Sequence, residues 1–211
     1  MDFPELECCT LCEHRCEVNR LAGEIGVCRT TLPTVASATL HPAPPSSYTV
    51  FLAGCNFKCL NCQNWEISQT SPDKTRNRDV TPDEVVLMAT GYGSTSIAYT
   101  YSEATTFYEY MVDIAAGARK AGVKNIWVSN AYISQIALNR LCEVIDGASV
   151  NLKSFSDKIY WGLNGGHLGQ RIHPPVERVG QLRSRRHGVT GGLGEGLGLV
   201  PDAQLDEERH F

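Results

Sequence analysis

The sequence predicts an α/β fold built on a parallel β-sheet, and two features of the residue pattern predict it. Four short runs rich in β-branched and aromatic residues alternate with helical stretches, and these runs cover residues 48–54, 96–101, 125–129 and 148–152. Such alternation is typical of βαβ units, which lay consecutive strands side by side and parallel. Polar residues follow each run at its carboxyl end, where parallel sheets carry their functional sites.

Length and composition narrow the functional classes. The chain has 211 residues, enough for one domain with a sizeable core, and its formal net charge is −4. It carries no basic stripe, which argues against a nucleic-acid partner. No apolar run approaches the length of a membrane span and no signal-peptide core follows Met1, so we expect a cytoplasmic protein with no membrane partner.

The residue pattern divides the chain into three parts. Residues 1–46 form a Cys-rich module with a Pro-rich linker, residues 47–166 carry the strands and helices, and residues 167–211 form a divergent tail rich in Gly and Arg. Eight of the nine cysteines lie before Asn64; the ninth, Cys142, is expected in the core. In a cytoplasmic protein this clustering indicates metal sites rather than disulfides.

The first cysteine cluster contains a quartet with the spacing of metal ligands, namely Cys9, Cys12, Cys16 and Cys28. Gly23 and Gly26 let the chain turn back between the last two, while Cys8 and His14 are spare ligands. An auxiliary iron–sulfur cluster, a structural zinc ion and a set of free thiols all stay open as interpretations. The prolines between residues 33 and 47 predict an ordered linker into the first strand.

The second cysteine cluster follows the first predicted strand directly. Cys55, Cys59 and Cys62 stand on one short loop, where three soft thiolates can hold three irons of a cubane cluster. The fourth iron is then left without a protein ligand. A zinc knuckle or a partial disulfide set is the competing interpretation. Because structural zinc takes four protein ligands and this loop offers three, the spacing favours an iron–sulfur cluster with an open iron.

Helix signals separate the later strands. Thr81 caps a helix that stops near residue 91, with Pro82 in its first turn and Glu84 closing a capping box. A second helix spans residues 106–120 and has its apolar residues on one face. Ser134 caps a third helix that runs to residue 145, and Ser156 starts a short helix that ends near residue 164.

Each later strand delivers polar side chains to the same edge of the sheet. These residues are Ser102 and Glu103, Ser129 and Asn130, and Asn151 and Lys153. Because parallel strands end at one edge, we expect these side chains to meet the cysteine loop there. Together with the cysteine loop, polar groups therefore follow four separate strands, and core packing does not explain this.

The motif Cys-x3-Cys-x2-Cys over residues 55–62 resembles the signature of radical S-adenosylmethionine (SAM) enzymes. The string Gly-Cys-Asn-Phe-Lys-Cys-Leu-Asn-Cys-Gln-Asn-Trp-Glu-Ile-Ser, residues 54–68, resembles the branch that contains the pyruvate formate-lyase activating enzymes. Within that branch it is most similar to the radical SAM member of the AmmeMemoRadiSam system and its relatives. The resemblance runs from about Cys9 to Gly166. It implies a partial parallel (β/α) barrel of the radical SAM type, truncated after about four βα units, with an N-terminal Cys-rich module.

The resemblance also implies an activity and its cofactors. Cys55, Cys59 and Cys62 would hold a [4Fe–4S] cluster, whose open iron is chelated by the amino and carboxylate groups of SAM. Reductive cleavage of SAM gives methionine and a 5′-deoxyadenosyl radical, which abstracts hydrogen from an unidentified substrate; in the best-known cases this is a glycyl-radical enzyme. A donor such as ferredoxin or flavodoxin would supply the electron. The resembling families also carry an N-terminal cysteine element like that of residues 9–28.

Residue roles carried over from the resemblance concern SAM. The implied cofactor-binding residues are Ser102, Glu103, Ser129, Asn130, Lys153 and Asn64. Glu103 lies in a Gly-Gly-Glu-like stretch, whose carboxylate meets the methionine ammonium, and Lys153 matches a lysine that meets the methionine carboxylate. Ser129 and Asn130 match polar positions that bind ribose or carboxylate. Three residues depart from the family pattern: Asn61 replaces an aromatic residue that covers the adenine, Asn151 replaces an aspartate, and Ala104 stands where proline is common.

The tail also departs from the resembling families. Ten of the nineteen glycines lie in residues 165–211, and this segment lacks the apolar helix and fifth strand with which the families continue. We interpret it as disordered, and either as out of frame with its ancestral gene or as a truncated remnant. Two alternatives to an active enzyme follow: a non-catalytic iron–sulfur or zinc protein, and an inactive radical SAM fragment.

Overall fold

A computed structural model describes residues 3–30, 35–41 and 46–170 of the chain. Its strands form one sheet in sequential order, with bounds β1 Val35–His41, β2 Ser47–Leu52, β3 Ser96–Thr100, β4 Lys124–Ser129 and β5 Gly147–Val150. β1 pairs antiparallel with β2, and the strands from β2 to β5 pair in parallel. Four parallel strands in sequential order, with helices in their connections, make the wall of an open, partial (β/α) barrel. The predicted fold class is therefore confirmed.

The parallel strands place their two faces in different surroundings. On β3 and β4 alternate residues are buried, and among them Ile97, Tyr99 and Trp127 have almost no exposed surface. This period of two is what a strand with one face against a layer of helices requires. The opposite face carries Thr100 and Val128, which line a cavity at the carboxyl ends of the strands.

Three of the helices, α2, α4 and α5, begin where the capping signals place them. Their bounds are α1 Trp65–Ser68, α2 Pro82–Gly91, α3 Tyr108–Lys120, α4 Gln135–Leu141 and α5 Asp157–Ile159. At α2 the capping box is complete, because Thr81 Oγ1 accepts from Glu84 N–H at 3.3 Å and Glu84 Oε2 accepts from Thr81 N–H at 2.7 Å. Ser134 caps α4 with a single bond, because its Oγ accepts from Ala137 N–H at 3.4 Å.

Two predicted helices are shorter than the sequence indicated. Residues Ala104–Phe107 form a 3₁₀ turn before α3, and α4 ends at Leu141. Cys142 therefore caps the end of α4 and is partly buried against the core, whereas the sequence predicted a buried thiol inside a helix. After α5 the chain continues as a π turn over Tyr160–Asn164.

The prediction of a linker between residues 33 and 47 is wrong in its central part, where the structure has β1. β1 pairs with β2 at the sheet edge, with Ala38 opposite Val50. A sheet edge tolerates neighbouring prolines, because one side of an edge strand needs no hydrogen bonds to the sheet. Proline density concealed a short strand whose own residues, Val35–His41, contain no proline.

The N-terminal module packs on the helical layer of the domain. Leu6 and Leu11 join the main core, and Arg20 forms a buried ion pair with Glu109 of α3 at 3.0 Å. Within the predicted tail, Leu168–Gln170 form a helical turn, and the Leu168 N–H donates to Asp157 Oδ1 at 2.7 Å. The rest of the tail predicted to be disordered or out of frame, residues 171–211, lies outside the described residues.

Among the described residues, no helix combines the length and the apolar character needed to cross a membrane.

Candidate functional site

A cavity of about 450 Å³ opens at the carboxyl ends of the parallel strands. It is lined by the three cysteines of the second cluster and by residues from the ends of β3, β4 and β5. The six residues implied for SAM binding all lie in this lining, namely Ser102, Glu103, Ser129, Asn130, Lys153 and Asn64. Of the three departures from the family pattern, Asn61 and Asn151 lie there too. The strand ends therefore meet the cysteine loop, as the topology required.

Backbone hydrogen bonds fix the path of the cysteine loop. Gly54 ends the segment after β2 with a positive φ of +95°, and its N–H donates to Ile67 O at 2.7 Å. On the other side, Lys58 N–H donates to Asn164 O at 2.9 Å and Leu60 N–H donates to Leu163 O at 3.0 Å. The loop is thus held between β2 and the π turn after α5, although the sequence places the latter about a hundred residues away.

Two of the cysteine sulfurs receive hydrogen bonds from the chain. Phe57 N–H donates to Cys55 Sγ at 3.3 Å, and the Asn164 side-chain amide donates to Cys59 Sγ at 3.1 Å. Donors of this kind orient cluster thiolates and stabilise their negative charge. Burial raises the pKa of the Cys55 thiol well above its ordinary value, and the Glu103 carboxylate raises it further. Without a metal, Cys55 is therefore a neutral thiol, and metal binding has to displace its proton.

Single-ion geometry is absent from the described part of the chain. There, no group of three or more His, Cys, Asp or Glu side chains is arranged to hold one metal ion. A cubane cluster binds each thiolate at a different iron, so its thiolates stand farther apart than the ligands of one zinc ion. The three thiolates of the loop fit a cluster with one open iron, because a structural zinc ion takes four protein ligands.

Glu103 is a buried carboxylate with an unusual set of partners. Only 1% of its surface is exposed. Its Oε1 accepts from Thr105 N–H at 3.0 Å, Thr105 Oγ1 at 2.6 Å and Ser129 Oγ at 2.7 Å. Its Oε2 accepts from Asn130 N–H at 2.7 Å. All four donors are neutral, so no cation of the described residues balances the charge, and Oε2 keeps room for a cationic ligand group.

Asn130 supports the cysteine loop with its side chain. Its Nδ2 donates to Asn56 Oδ1 at 2.7 Å, and its Oδ1 accepts from Tyr132 N–H at 2.8 Å. Asn56 Nδ2 completes the ring by donating to Tyr132 O at 2.9 Å. The amide that the resemblance implied for cofactor binding is therefore engaged in protein contacts. Asn56 is 1% exposed and joins this network from inside the cysteine motif. Sequence reasoning missed it, because only the cysteines of the motif were considered as functional residues.

Of the other residues implied for SAM binding, two lie in the wall of the cavity and one lies at its rim. Ser102 Oγ donates to Leu52 O, and Asn64 Nδ2 donates to Tyr101 O at 2.8 Å, so both shape the wall through backbone contacts. Lys153 lies exposed on the segment after β5. Of the described residues that line the cavity, Glu103 and Lys153 alone carry charge, and their charges are opposite.

The sequence did not predict two buried polar groups beside the loop. Ser68 lines the cavity, and its Oγ has no hydrogen-bond partner among the described residues. Asn164 contacts Cys59 while its Oδ1 has no partner within the same residues. Asn164 precedes Gly165, and this pattern indicates only the end of a helix. A buried polar group without a partner is costly, so a ligand in the cavity would satisfy Ser68.

The N-terminal quartet lies outside this cavity. Cys12 packs on the far side of an aromatic cluster of Phe57, Tyr132 and Tyr160. Of the two spare ligands, Cys8 is exposed and His14 is engaged, because His14 Nε2 donates to Asn56 O at 2.7 Å. None of the nine cysteines forms a disulfide.

The family model that matches the chain is described as "Radical SAM superfamily", and it covers residues 49–197, well over half of the sequence. The chain belongs to the radical SAM superfamily. Members of this superfamily generally use a [4Fe–4S] cluster and SAM, which matches the three cysteines and the charged groups of the cavity.

Two similar proteins come from Methanocaldococcus jannaschii, and both are described as uncharacterized. MJ0808 is 36% identical over 151 residues, which cover 69% of this chain and 45% of MJ0808. MJ0674 is 48% identical over 71 residues, which cover 32% of this chain and 21% of MJ0674. The radical SAM chain described here thus spans less than half the length of these relatives.

Proposed function

We propose that the chain holds a [4Fe–4S] cluster through Cys55, Cys59 and Cys62 and cleaves SAM reductively. One observation carries the proposal. Three thiols line the same cavity as one buried carboxylate, Glu103, and one exposed amine, Lys153. The methionine end of SAM carries an ammonium and a carboxylate, so the two charged residues are complementary to it.

Each residue of the cavity has a separate task in this proposal. Glu103 Oε2 receives the ammonium of SAM, since it has one hydrogen bond from the protein and its charge lacks a cationic partner among the described residues. Lys153 attracts the carboxylate from the rim. Ser68 Oγ offers a further hydrogen bond inside the cavity. A bound, reduced cluster would supply the one electron that reductive cleavage of a carbon–sulfur bond in SAM requires, which gives methionine and a 5′-deoxyadenosyl radical.

The protein also orients the cluster ligands and limits the access of water. Phe57 N–H and the Asn164 amide point donors at Cys55 and Cys59, which fixes these sulfurs before a cluster binds. Glu103, Ser129 and Asn130 are buried, so the inner wall is dry.

The test is anaerobic reconstitution of the full chain with iron and sulfide, followed by reduction in the presence of SAM. We expect 5′-deoxyadenosine and methionine in equal amounts, measured by chromatography and mass spectrometry. Cys55→Ala should abolish both products. Cys142→Ser is the matched control, because Cys142 lies at the end of α4 and outside the cavity. A reconstituted cluster that yields no 5′-deoxyadenosine would contradict the proposal and favour a non-catalytic iron–sulfur protein.

We further propose that the radical acts on a protein, as in the activating-enzyme branch. The string over residues 54–68 supports this, as do large apolar side chains exposed beside the cysteine loop. Leu60 is 79% exposed and is held next to Leu163 by a backbone hydrogen bond of 3.0 Å. Exposed apolar groups of this size suit contact with a macromolecule.

Deuterium transfer tests the substrate class. A perdeuterated cell extract is separated into protein and small-molecule fractions, and each is incubated with the reconstituted chain, SAM and a reduced ferredoxin or flavodoxin. The proposal expects deuterium in 5′-deoxyadenosine only from the protein fraction. Label from the small-molecule fraction would reject a protein substrate but leave SAM cleavage untouched.

A further inference from the structure

The four cysteines of the N-terminal module are brought together by their own loop. Cys9 N–H donates to Val18 O at 2.9 Å, and Glu17 N–H donates to Cys9 O at 3.0 Å, so the stretch around Cys16 lies beside Cys9. Val27 N–H donates to Cys16 Sγ at 3.5 Å, which brings the neighbour of Cys28 against Cys16. The chain thus folds back on itself and closes a ring around the quartet.

Gly26 leaves the room that this ring needs. A Cβ at this position would lie 3.0 Å from Cys16 Sγ and 3.1 Å from Cys16 Cβ, closer than side chains normally pack. Gly23 turns the chain with a φ of +84°, a conformation that other residues adopt at a cost. Both glycines therefore serve the approach of the last segment to Cys16.

Cys12 belongs to the same folded loop. Arg15 N–H donates to Cys12 O at 3.0 Å, which turns the chain between Cys12 and Cys16. Four thiolates in one neighbourhood repel each other unless a cation or an iron–sulfur core holds them.

The quartet sits directly behind the SAM-site loop. A Cβ on Gly54 would lie 2.5 Å from Thr30 Cγ2 and 3.2 Å from Cys28 O, so the segment after Cys28 touches the residue before Cys55. On the other side of the module, His14 Nε2 donates to Asn56 O at 2.7 Å. The two cysteine sites therefore touch through neighbouring backbone segments.

An aromatic cluster fills the space between the two sites. Phe57 packs on Tyr132 and Tyr160 with ring centroids 5.0 Å and 5.6 Å apart. Cys12 packs against this cluster from the N-terminal module, and Cys55 and Cys59 pack against it from the SAM-site loop. This aromatic cluster shields the side of the quartet that faces the SAM-site loop from water.

We propose that Cys9, Cys12, Cys16 and Cys28 hold a second iron–sulfur cluster, separate from the cluster that binds SAM. Four thiolates select either zinc or an iron–sulfur cluster. Three cysteines within one short run and a fourth from farther along the chain are typical of four-thiolate iron–sulfur sites.

Counting iron, acid-labile sulfide and zinc in reconstituted variants of the full chain tests this proposal. The wild type should hold about eight irons and eight sulfides per chain, as two cubane clusters require. The triple variant C55A/C59A/C62A should keep about half of them, with an electron paramagnetic resonance signal that ignores SAM. The pair variant C12A/C28A should also keep about half, with a signal that SAM perturbs. Cys8→Ser and Cys142→Ser are the controls and should lose none.

A second measurement covers variants that fail to fold. Iodoacetamide labelling of the wild type, read by mass spectrometry, should modify the half-buried Cys16 and Cys28 before reconstitution and spare them afterwards, while exposed Cys8 reacts in both states. One zinc per chain without extra sulfide, or a triple variant that holds no iron, would overturn the proposal. The proposal of a second cluster can fail or hold independently of SAM cleavage. The triple variant tests the quartet in a chain that lacks the cysteines of the SAM site.

Discussion

Replacing Glu103 with Gln tests the SAM site most sharply. The change keeps the size of the side chain and removes the charge that no cation of the described residues balances. A hydrogen bond to a charged group contributes about 1.5–3 kcal/mol, so loss of the ammonium contact should raise the Kd for SAM by about 10- to 150-fold. Both oxygens of Glu103 accept from buried donors, at 3.0 Å from Thr105 N–H and at 2.7 Å from Asn130 N–H. A Gln amide nitrogen would face one of these donors, so the free energy of unfolding should also fall, by about 1–3 kcal/mol.

Two assays and one control separate these effects. SAM affinity is measured by titrating the reduced cluster signal, and the free energy of unfolding is measured in urea on the same protein. Thr105→Val is the matched control, because it removes the 2.6 Å hydrogen bond from Thr105 Oγ1 while keeping the carboxylate charge. It should reduce stability yet leave the Kd for SAM within about threefold, less than loss of a charged hydrogen bond costs. An E103Q protein that binds SAM like the wild type would refute the ammonium contact. Equal loss of affinity in both variants would show that Glu103 acts only by bracing Ser129 and Asn130.

Three further predictions concern stability and affinity. Gly54→Ala should lower the free energy of unfolding, measured by urea denaturation, by at least about 2 kcal/mol, because φ is +95° and the new Cβ would lie 2.5 Å from Thr30 Cγ2. Gly91→Ala in α2 is the control and should not lower it, because the space around Gly91 is open. Arg20→Met should cost about 3–5 kcal/mol by leaving Glu109 buried without its ion-pair partner, whereas R20M/E109L should recover most of that loss. Lys153→Ala should weaken SAM binding by up to about fivefold without changing the iron content, since an exposed charge pair contributes little.

The strands that carry the site were predictable because a local run of apolar residues marks each of them. β3 is an apolar run that is followed by Ser102 and Glu103, and β4 ends at Ser129, which Asn130 follows. A parallel sheet then forces these ends to one edge, so the sequence alone places the polar groups near the cysteines. The capping box at Thr81 is equally local, since both of its hydrogen bonds join residues three positions apart.

Other features depend on contacts between distant residues and left no local signal. The Asn164 amide reaches Cys59 across 105 positions, and Asn56 meets Asn130 across 74. Neither asparagine differs by sequence from one in an ordinary turn. β1 was missed for another reason. Prolines on both sides of the strand suggested a linker, and nothing in the local pattern indicated that β1 pairs with β2.

The central claim is that SAM binds an open iron through its amino-acid end, beside Glu103. The most direct measurement is electron–nuclear double resonance on the reduced full chain with SAM labelled by ¹⁵N at the methionine amino group. The account predicts a ¹⁵N coupling to the cluster that is absent in C55A. A cluster signal that shows no ¹⁵N coupling and does not change when SAM is added would contradict it.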